Sequence, residues 1–202
     1  MTQFGRTLDL RHLPREVPGK RASVYSGMLL FIVIEATVIA SLLTSYYYLR
    51  VMTRESWPPP GVSPPELLRP AFSLGLLVAS LAPMIAARIA HHRQNHTAFH
   101  GAALLGVVLL LAYLGVSFYD LRELPYDWRF HVYGSLVWTL TGYQLLHVIG
   151  LTMLALGVIF LGGPSARLPR EAAVTVLLLY WAFVVVVALP SYFTVYATPH
   201  LF

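Results

Sequence analysis

Two residues of this chain stand where polar groups are expensive. Glu35 lies within one long apolar run and His147 within another. Glu35 is the one acid well inside such a run and follows Val24, where the run begins, by eleven residues. At the helical rise that is roughly 16 Å, near the middle of a bilayer. A carboxylate at that depth costs several kcal/mol unless it is paired or protonated, so an intramembrane acid is a functional candidate by default. The plainer alternative is a neutral, hydrogen-bonded carboxyl that holds helices together. His147 is the histidine in the middle of a run, fourteen residues before Leu161, or roughly 21 Å by the same rise. The two helices run in opposite directions, yet both polar groups reach similar depth. The expectation is a shared buried hydrogen-bond network, with Thr37, Thr141 or Gln144 as intermediates. The alternative for His147 is a ring bonded only to a backbone carbonyl.

A second set of histidines, His91, His92, His96 and His100, clusters between two apolar runs. No carboxylate or cysteine accompanies it, which weakens a metal-binding reading. With Arg88 and Arg93 it suits lipid head groups or a partner surface. Arg50 and Trp57, at the other membrane face, are assigned the same lipid or partner contact. The chain has no cysteine, which excludes disulfides, thiolate metal sites and thiol nucleophiles. A membrane cytochrome b needs paired intramembrane histidines on facing helices, and an oxygen-reducing haem-copper subunit needs several more. One central histidine serves neither. No Gly-rich phosphate loop, carboxylate dyad or Ser/His nucleophile is evident. Residue chemistry alone describes a non-catalytic membrane subunit with no metal of its own.

The elements that must position these residues follow from composition. Of 202 residues, 57% are hydrophobic and 11% charged, where soluble domains carry about a quarter charged. Crossing a bilayer core takes about 20 apolar residues. Five stretches qualify, at about 24–49, 71–90, 101–119, 132–161 and 172–195. Lipid offers backbone groups no partner, so each must be helical, and the predicted fold is an all-α bundle of five transmembrane helices. Residues 1–23 form a polar, basic N-terminal segment and 24–202 the membrane domain. No cleavable signal peptide is visible, because the first apolar run continues far beyond a signal core. Trp57-Pro58-Pro59-Pro60-Gly61, with Pro64, Pro65 and Pro70, predicts a rigid extended loop. Gly162, Gly163, Pro164 and Pro169 mark the last connection, and Pro83 and Pro190 are expected to kink their spans. Small-residue rows for helix contact are expected at Ala82, Ala86 and Ala90, at Ala36 and Ala40, and at Gly142 and Gly150.

Orientation follows from Lys and Arg. Nine lie on one side (Arg6, Arg11, Arg15, Lys20, Arg21, Arg88, Arg93, Arg167, Arg170) and five on the other (Arg50, Arg54, Arg69, Arg122, Arg129). The N-terminus is therefore placed in the cytoplasm and the C-terminus outside. Tyr46, Tyr47, Tyr48, Trp57, Tyr126 and Trp128 then fall on the outer side as interfacial aromatics. The net charge of +5 is spread between apolar runs rather than gathered in a patch, which argues against a nucleic-acid partner.

The first run, Gly27-Met28-Leu29-Leu30-Phe31-Ile32-Val33-Ile34-Glu35, resembles the opening of the Glu-bearing helix in subunit III of haem-copper oxidases, where a Gly-x-x-Leu-Phe run precedes the acid. It ends in Tyr46-Tyr47-Tyr48-Leu49-Arg50, followed by Trp57-Pro58-Pro59-Pro60-Gly61, again as in that family. The fourth run holds Tyr133-Gly134-Ser135 and then Thr141-Gly142-Tyr143-Gln144-Leu145-Leu146-His147-Val148, similar to the family's Thr-Gly-Phe-His-Gly-x-His-Val. Tyr180-Trp181-Ala182-Phe183-Val184 is similar to its Tyr-Trp-His-Phe-Val-Asp. The departures are Gln144 for the first histidine of the fourth-run signature, and Ala182 and Val185 for the His and Asp of the last motif. Asp120 is the candidate for the family's acid near the end of the third span.

The resemblance covers nearly the whole membrane region and implies the five-helix bacterial form, in the bacterial plasma membrane. It implies a subunit that does no electron transfer and leaves haem and copper to catalytic subunit I and its other partners. Such a subunit holds structural phospholipid, protects the catalytic subunit during turnover, and supports proton uptake and oxygen access. Two rival readings stay open: an accessory subunit of a quinol oxidase or nitric oxide reductase, and a small transporter using Glu35 for proton coupling. The chain lacks the inverted repeat expected of the latter.

Overall fold

Backbone N–H and C=O groups cannot be left unpaired in hydrocarbon, and the apolar runs accordingly close their hydrogen bonds within themselves as helices. The computed structural model describes residues 20–53, 56–63, 65–129, 131–161 and 170–201, the side chains of residues 20–22 excepted. The basic residues Arg6, Arg11, Arg15, Arg54 and Arg167, and the punctuating Pro64, Gly162, Gly163, Pro164 and Pro169, lie outside the described residues, as does nearly all of the segment 1–23. The described chain is all-α. Its helices are α1 (Lys20–Met52), α2 (Leu68–Ala79), α3 (Leu81–His92), α4 (His96–Arg122), α5 (Val132–Leu161) and α6 (Arg170–Tyr192), then a π-helical turn, Phe193–Ala197, and α7 (Thr198–Leu201). Among the described residues, five stretches are long and apolar enough to cross a membrane: Ser23–Met52, Leu68–His92, His96–Arg122, Val132–Leu161 and Arg170–Leu201.

Two spans are irregular near the prolines expected to kink them. The second is two helices, α2 and α3, interrupted at Ser80. Pro83, three residues on, has no N–H to give the carbonyl of Ala79, so the ladder loses a rung there. Ser80 keeps right-handed helical angles and its N–H still reaches Leu76 O at 3.0 Å, so the chain continues through the break. The last span passes Pro190 and then widens into the π turn, where the Thr198 N–H bonds the Phe193 carbonyl.

The break at Ser80 is where helices meet. The Trp181 indole N–H of α6 donates to Ser80 Oγ at 2.8 Å, and that hydroxyl donates to Leu77 O at 2.6 Å. Trp181 and Ser80 are both fully buried. On α4, a Cβ added to Gly106 would lie 3.0 Å from the Trp181 ring, so glycine is what lets the indole seat against α4. The packed face of α2 and α3 runs through Ser73, Leu77, Ser80, Met84, Ala87 and Ala90. Ala82 and Ala86, expected as a contact row, are exposed within this chain, as is Ala40.

The first loop is not simply extended. Val62 N–H bonds Pro59 O at 3.1 Å, closing a turn in which Gly61 has φ +87°, a conformation other residues take only with strain. The turn folds Trp57 inward, at 7% exposure. Its ring meets Tyr46 and Tyr133 edge-to-face, at 5.6 and 5.2 Å between centroids, and Tyr126 completes the cluster against Tyr133. Burial pushes the Tyr126 phenol above its ordinary pKa. Tyr46, Trp57 and Tyr126 are thus packing residues rather than an interfacial belt, while Tyr48 and Trp128 remain exposed. The third loop is tied by Asp127 Oδ1, which accepts the Arg129 N–H at 2.8 Å, and by the Trp138 indole, which donates to Tyr126 O at 3.1 Å.

A Cβ on Gly134 would lie 2.7 Å from the Asp127 carbonyl, a backbone atom that cannot swing away, whereas Gly115 has nothing within 4 Å. Gly134→Ala is therefore expected to destabilise the folded protein by about 1–3 kcal/mol, and Gly115→Ala to leave it unchanged or slightly firmer. Thermal unfolding of the two variants in mild detergent checks this; equal midpoints would contradict the close approach at Gly134.

Candidate functional site

The site forms where α1 crosses α5. Glu35 lies near the middle of α1, fifteen residues from Lys20 and seventeen from Met52. On α5, Tyr143 and His147 are four residues apart and so share one helix face. Tyr143 donates its hydroxyl to Glu35 Oε2, and His147 Nε2 lies 3.3 Å from the same oxygen. The Glu35 side chain is 20% exposed and that of His147 8%. Tyr143 is the member that sequence reasoning missed. The signal was its spacing from His147, which places a phenol one turn away on the same face.

The backbone fixes the imidazole tautomer. His147 Nδ1 lies 2.9 Å from Tyr143 O. A carbonyl only accepts, so Nδ1 carries a proton. Nε2 then faces Glu35 Oε2, and one proton shared between the two residues would leave the pair with zero net charge, the condition that makes such a pair tolerable in lipid. Aromatic rings enclose it: Tyr143 lies 4.4 Å from His147, Phe183 of α6 6.1 Å away, and Phe31 meets Tyr180 edge-to-face.

The expected intermediates point elsewhere. Thr37 donates to Val33 O, one turn back on α1. Gln144, 5% exposed, gives its amide N–H to Val184 O of α6 at 3.2 Å. Thr141 lines a separate cavity with Tyr196. Neither Gln144 nor Thr141 joins Glu35, because their positions on α5 turn them toward α4 and α6. Arg50 is half-buried at the end of α1, and Arg88 half-buried at the end of α3. His92 is exposed, and His91 lies against Phe99, 5.7 Å between rings. Arg170 sits over Phe99 at 4.9 Å and 3.4 Å from His100 Nε2, so the histidine cluster is organised by an aromatic ring and a cation. Among the described residues no group of three or more His, Asp or Glu side chains is placed to hold a metal ion.

Comparison with known proteins places this chain in a family. The family model described as cytochrome c oxidase subunit III matches residues 17–199, a stretch that includes Glu35, Tyr143 and His147. The chain belongs to the cytochrome c oxidase subunit III family. Among its relatives, the cytochrome c oxidase subunit 3 of Thermostichus vulcanus is 27% identical over 167 residues, covering 80% of each chain. That of Synechocystis sp. is 26% identical over 172 residues, 84% of this chain and 73% of the other. That of Petromyzon marinus is 33% identical over 132 residues, 61% of this chain and 49% of the other. Subunit III identity and the membrane-spanning helices together make this a multi-pass membrane component of an oxidase complex. Ala182 and Val185 are a half-buried and a buried apolar side chain on α6.

At 3.3 Å between His147 Nε2 and Glu35 Oε2, the two residues are energetically coupled. A double-mutant cycle of Glu35→Ala and His147→Ala, read by thermal unfolding in detergent, is expected to show a coupling of about 0.5–3 kcal/mol. Strictly additive losses would mean that the two side chains do not interact.

Proposed function

We propose that the chain is the accessory subunit III of a respiratory haem-copper terminal oxidase, non-catalytic itself and packed in the bacterial plasma membrane against catalytic subunit I and other oxidase subunits. The observation that carries this reading is the family match over residues 17–199. In this reading haem and copper belong to the partner subunits. The N-terminus faces the cytoplasm and the C-terminus the outside, as the distribution of Lys and Arg favours. Residues 1–23 form the cytoplasmic basic segment and 24–202 the membrane domain.

The geometry supports a role in assembly. Only 6% of the apolar window of the first span is buried within the chain, against 33–50% for the other four. That exposed surface suits a neighbouring subunit or tightly held phospholipid. Glu35, with His147 and Tyr143, ties this outlying helix to the bundle, while Gln144 and Thr141 belong to the polar seam between α5 and its other neighbours. In this reading Arg50, at the outer face, and Arg88, His91 and His92, at the cytoplasmic face, meet lipid head groups or a partner. The cytoplasmic histidines also fit the support of proton uptake, and lipid held beside α1 fits oxygen access to the catalytic subunit.

Purification of the tagged chain from its native membrane in mild detergent is expected to bring down a haem-bearing, oxygen-reducing subunit, with no haem on this chain. A lone colourless protein, with intact oxidase recovered elsewhere, would overturn the reading. In the purified complex, Glu35→Ala is expected to leave haem content unchanged while activity declines faster during turnover or bound lipid falls; loss of haem from the complex would contradict a role confined to assembly.

A further inference from the structure

A second polar region lies apart from Glu35, between α2, α4, α5 and α6, and the function proposed above makes no use of it. It is a cavity of about 40 Å³. A water needs roughly 10–15 Å³ on this measure, so there is room for up to about three. Its walls are unusual for a membrane interior in that they present acceptors. Gln144 is 5% exposed, its amide N–H is committed to Val184 O, and its Oε1 has no partner within the chain. Asp120 has one oxygen 3.9 Å from Arg69 Nη1, while the other, Oδ2, is buried and unpartnered. Ser73 and Ser191, 5% and 6% exposed, spend their protons on Pro70 O and Val187 O of their own helices, at 2.9 and 2.8 Å. Both therefore offer only oxygen lone pairs to the cavity.

Unpaired buried acceptors each cost about 1–3 kcal/mol, and here two of them, from α4 and α5, face one space that the Ser73 and Ser191 oxygens also line from α2 and α6. What satisfies them must be small and must donate hydrogen bonds, in a wall that also carries the phenols of Tyr113 and Tyr196. Water meets both conditions. It also has a way in. The cavity shares Pro70, Asp120 and Tyr196 with a wider hollow of about 230 Å³ that is bounded by Glu66, Arg69 and Glu123 at the loop end of α4.

We propose that this cavity is a built water site: a short file of ordered waters that runs from Asp120 at the membrane edge inward to Gln144 and exchanges with the aqueous phase beside the Pro-rich first loop. The file ends one helical turn from His147 on α5. Water, rather than protein, closes the polar seam between α4, α5 and α6.

The test uses the full chain in whatever complex it is purified with, and so does not depend on that complex being an oxidase. A high-resolution cryo-EM map is expected to show two or three peaks at hydrogen-bonding distance from Gln144 Oε1 and Asp120 Oδ2. Radiolytic hydroxyl-radical footprinting, which labels buried side chains that touch bound water, is expected to label Tyr113 several-fold more than Tyr180. The two tyrosines are equally buried, at 7% exposure, and only Tyr113 lines the cavity. In Gln144→Leu the excess at Tyr113 should fall. An empty cavity in the map, side chains rearranged to satisfy one another, a bound cation at metal–oxygen distances, or equal labelling of the two tyrosines in the unaltered protein would each overturn the proposal.

Discussion

The hydrogen bond from the Trp181 indole to Ser80 fixes how the last span sits against the second and third. In hydrocarbon, helices gain little from hiding apolar surface, so their arrangement rests on close packing and on polar groups that have no alternative partner. The indole N–H is such a group, and Trp181 and Ser80 are fully buried. The constraint is sharp because three features must coincide. Pro83 loosens the second span near Ser80, the Ser80 hydroxyl is free to accept because its own proton goes to Leu77 O, and Gly106 leaves room for the ring. With α6 seated in this way, its other face presents Tyr180 and Phe183 to His147, and α5 can turn Tyr143 and His147 outward to meet α1.

The tie to α1 is of a different kind. This helix buries so little of its surface in the chain that dispersion alone holds it weakly, and specific contacts place it, among them Glu35 on α5, Phe31 against Tyr180, Tyr47 Oη with Thr194 Oγ1 at 3.2 Å, and Tyr46 in the ring cluster around Trp57. They are spaced along the helix, so α1 is fixed in both position and rotation while most of its apolar surface stays open. A subunit that must dock beside another needs that combination of a rigid helix and an uncovered face.

Some of this was legible in the residues. Five apolar runs of sufficient length can only be helices in lipid, and Glu35 and His147 stood out because each is isolated among apolar neighbours. Motif order in the first, fourth and last runs pointed to the family. What the residues concealed was rotation about each helix axis. Gln144, Thr141, Tyr143 and His147 lie within two turns of α5, and pattern alone does not say which of them faces α1. The structure selects Tyr143 and His147 and turns Gln144 to α6. Trp57 misled for a related reason: proline-rich sequence implies an extended loop and an aromatic near it implies an interface, but the turn at Gly61 folds the ring back onto Tyr46 and Tyr133. Gly106 gave no signal, since its partner Trp181 is distant in sequence.

The chemistry available to the Glu35 site follows from its charge. A lone carboxylate at mid-membrane costs about 2.5–3.5 kcal/mol by insertion measurements, and a lone imidazolium is likewise unfavourable. Sharing one proton removes both costs, because either placement of it leaves the pair neutral. The Tyr143 hydroxyl bonds the carboxyl in both cases, and the His147 Nδ1–H is anchored on the helix backbone. The pair can therefore move its proton across one hydrogen bond without changing its net charge or its partners. Neither Gln144, whose amide N–H is committed to Val184 O, nor Thr141, which lines the separate cavity, offers that proton an onward step. A relay needs a next member, and a tie between helices does not. The local geometry consequently favours a carboxyl that holds α1 in place over one that conducts protons along the membrane normal.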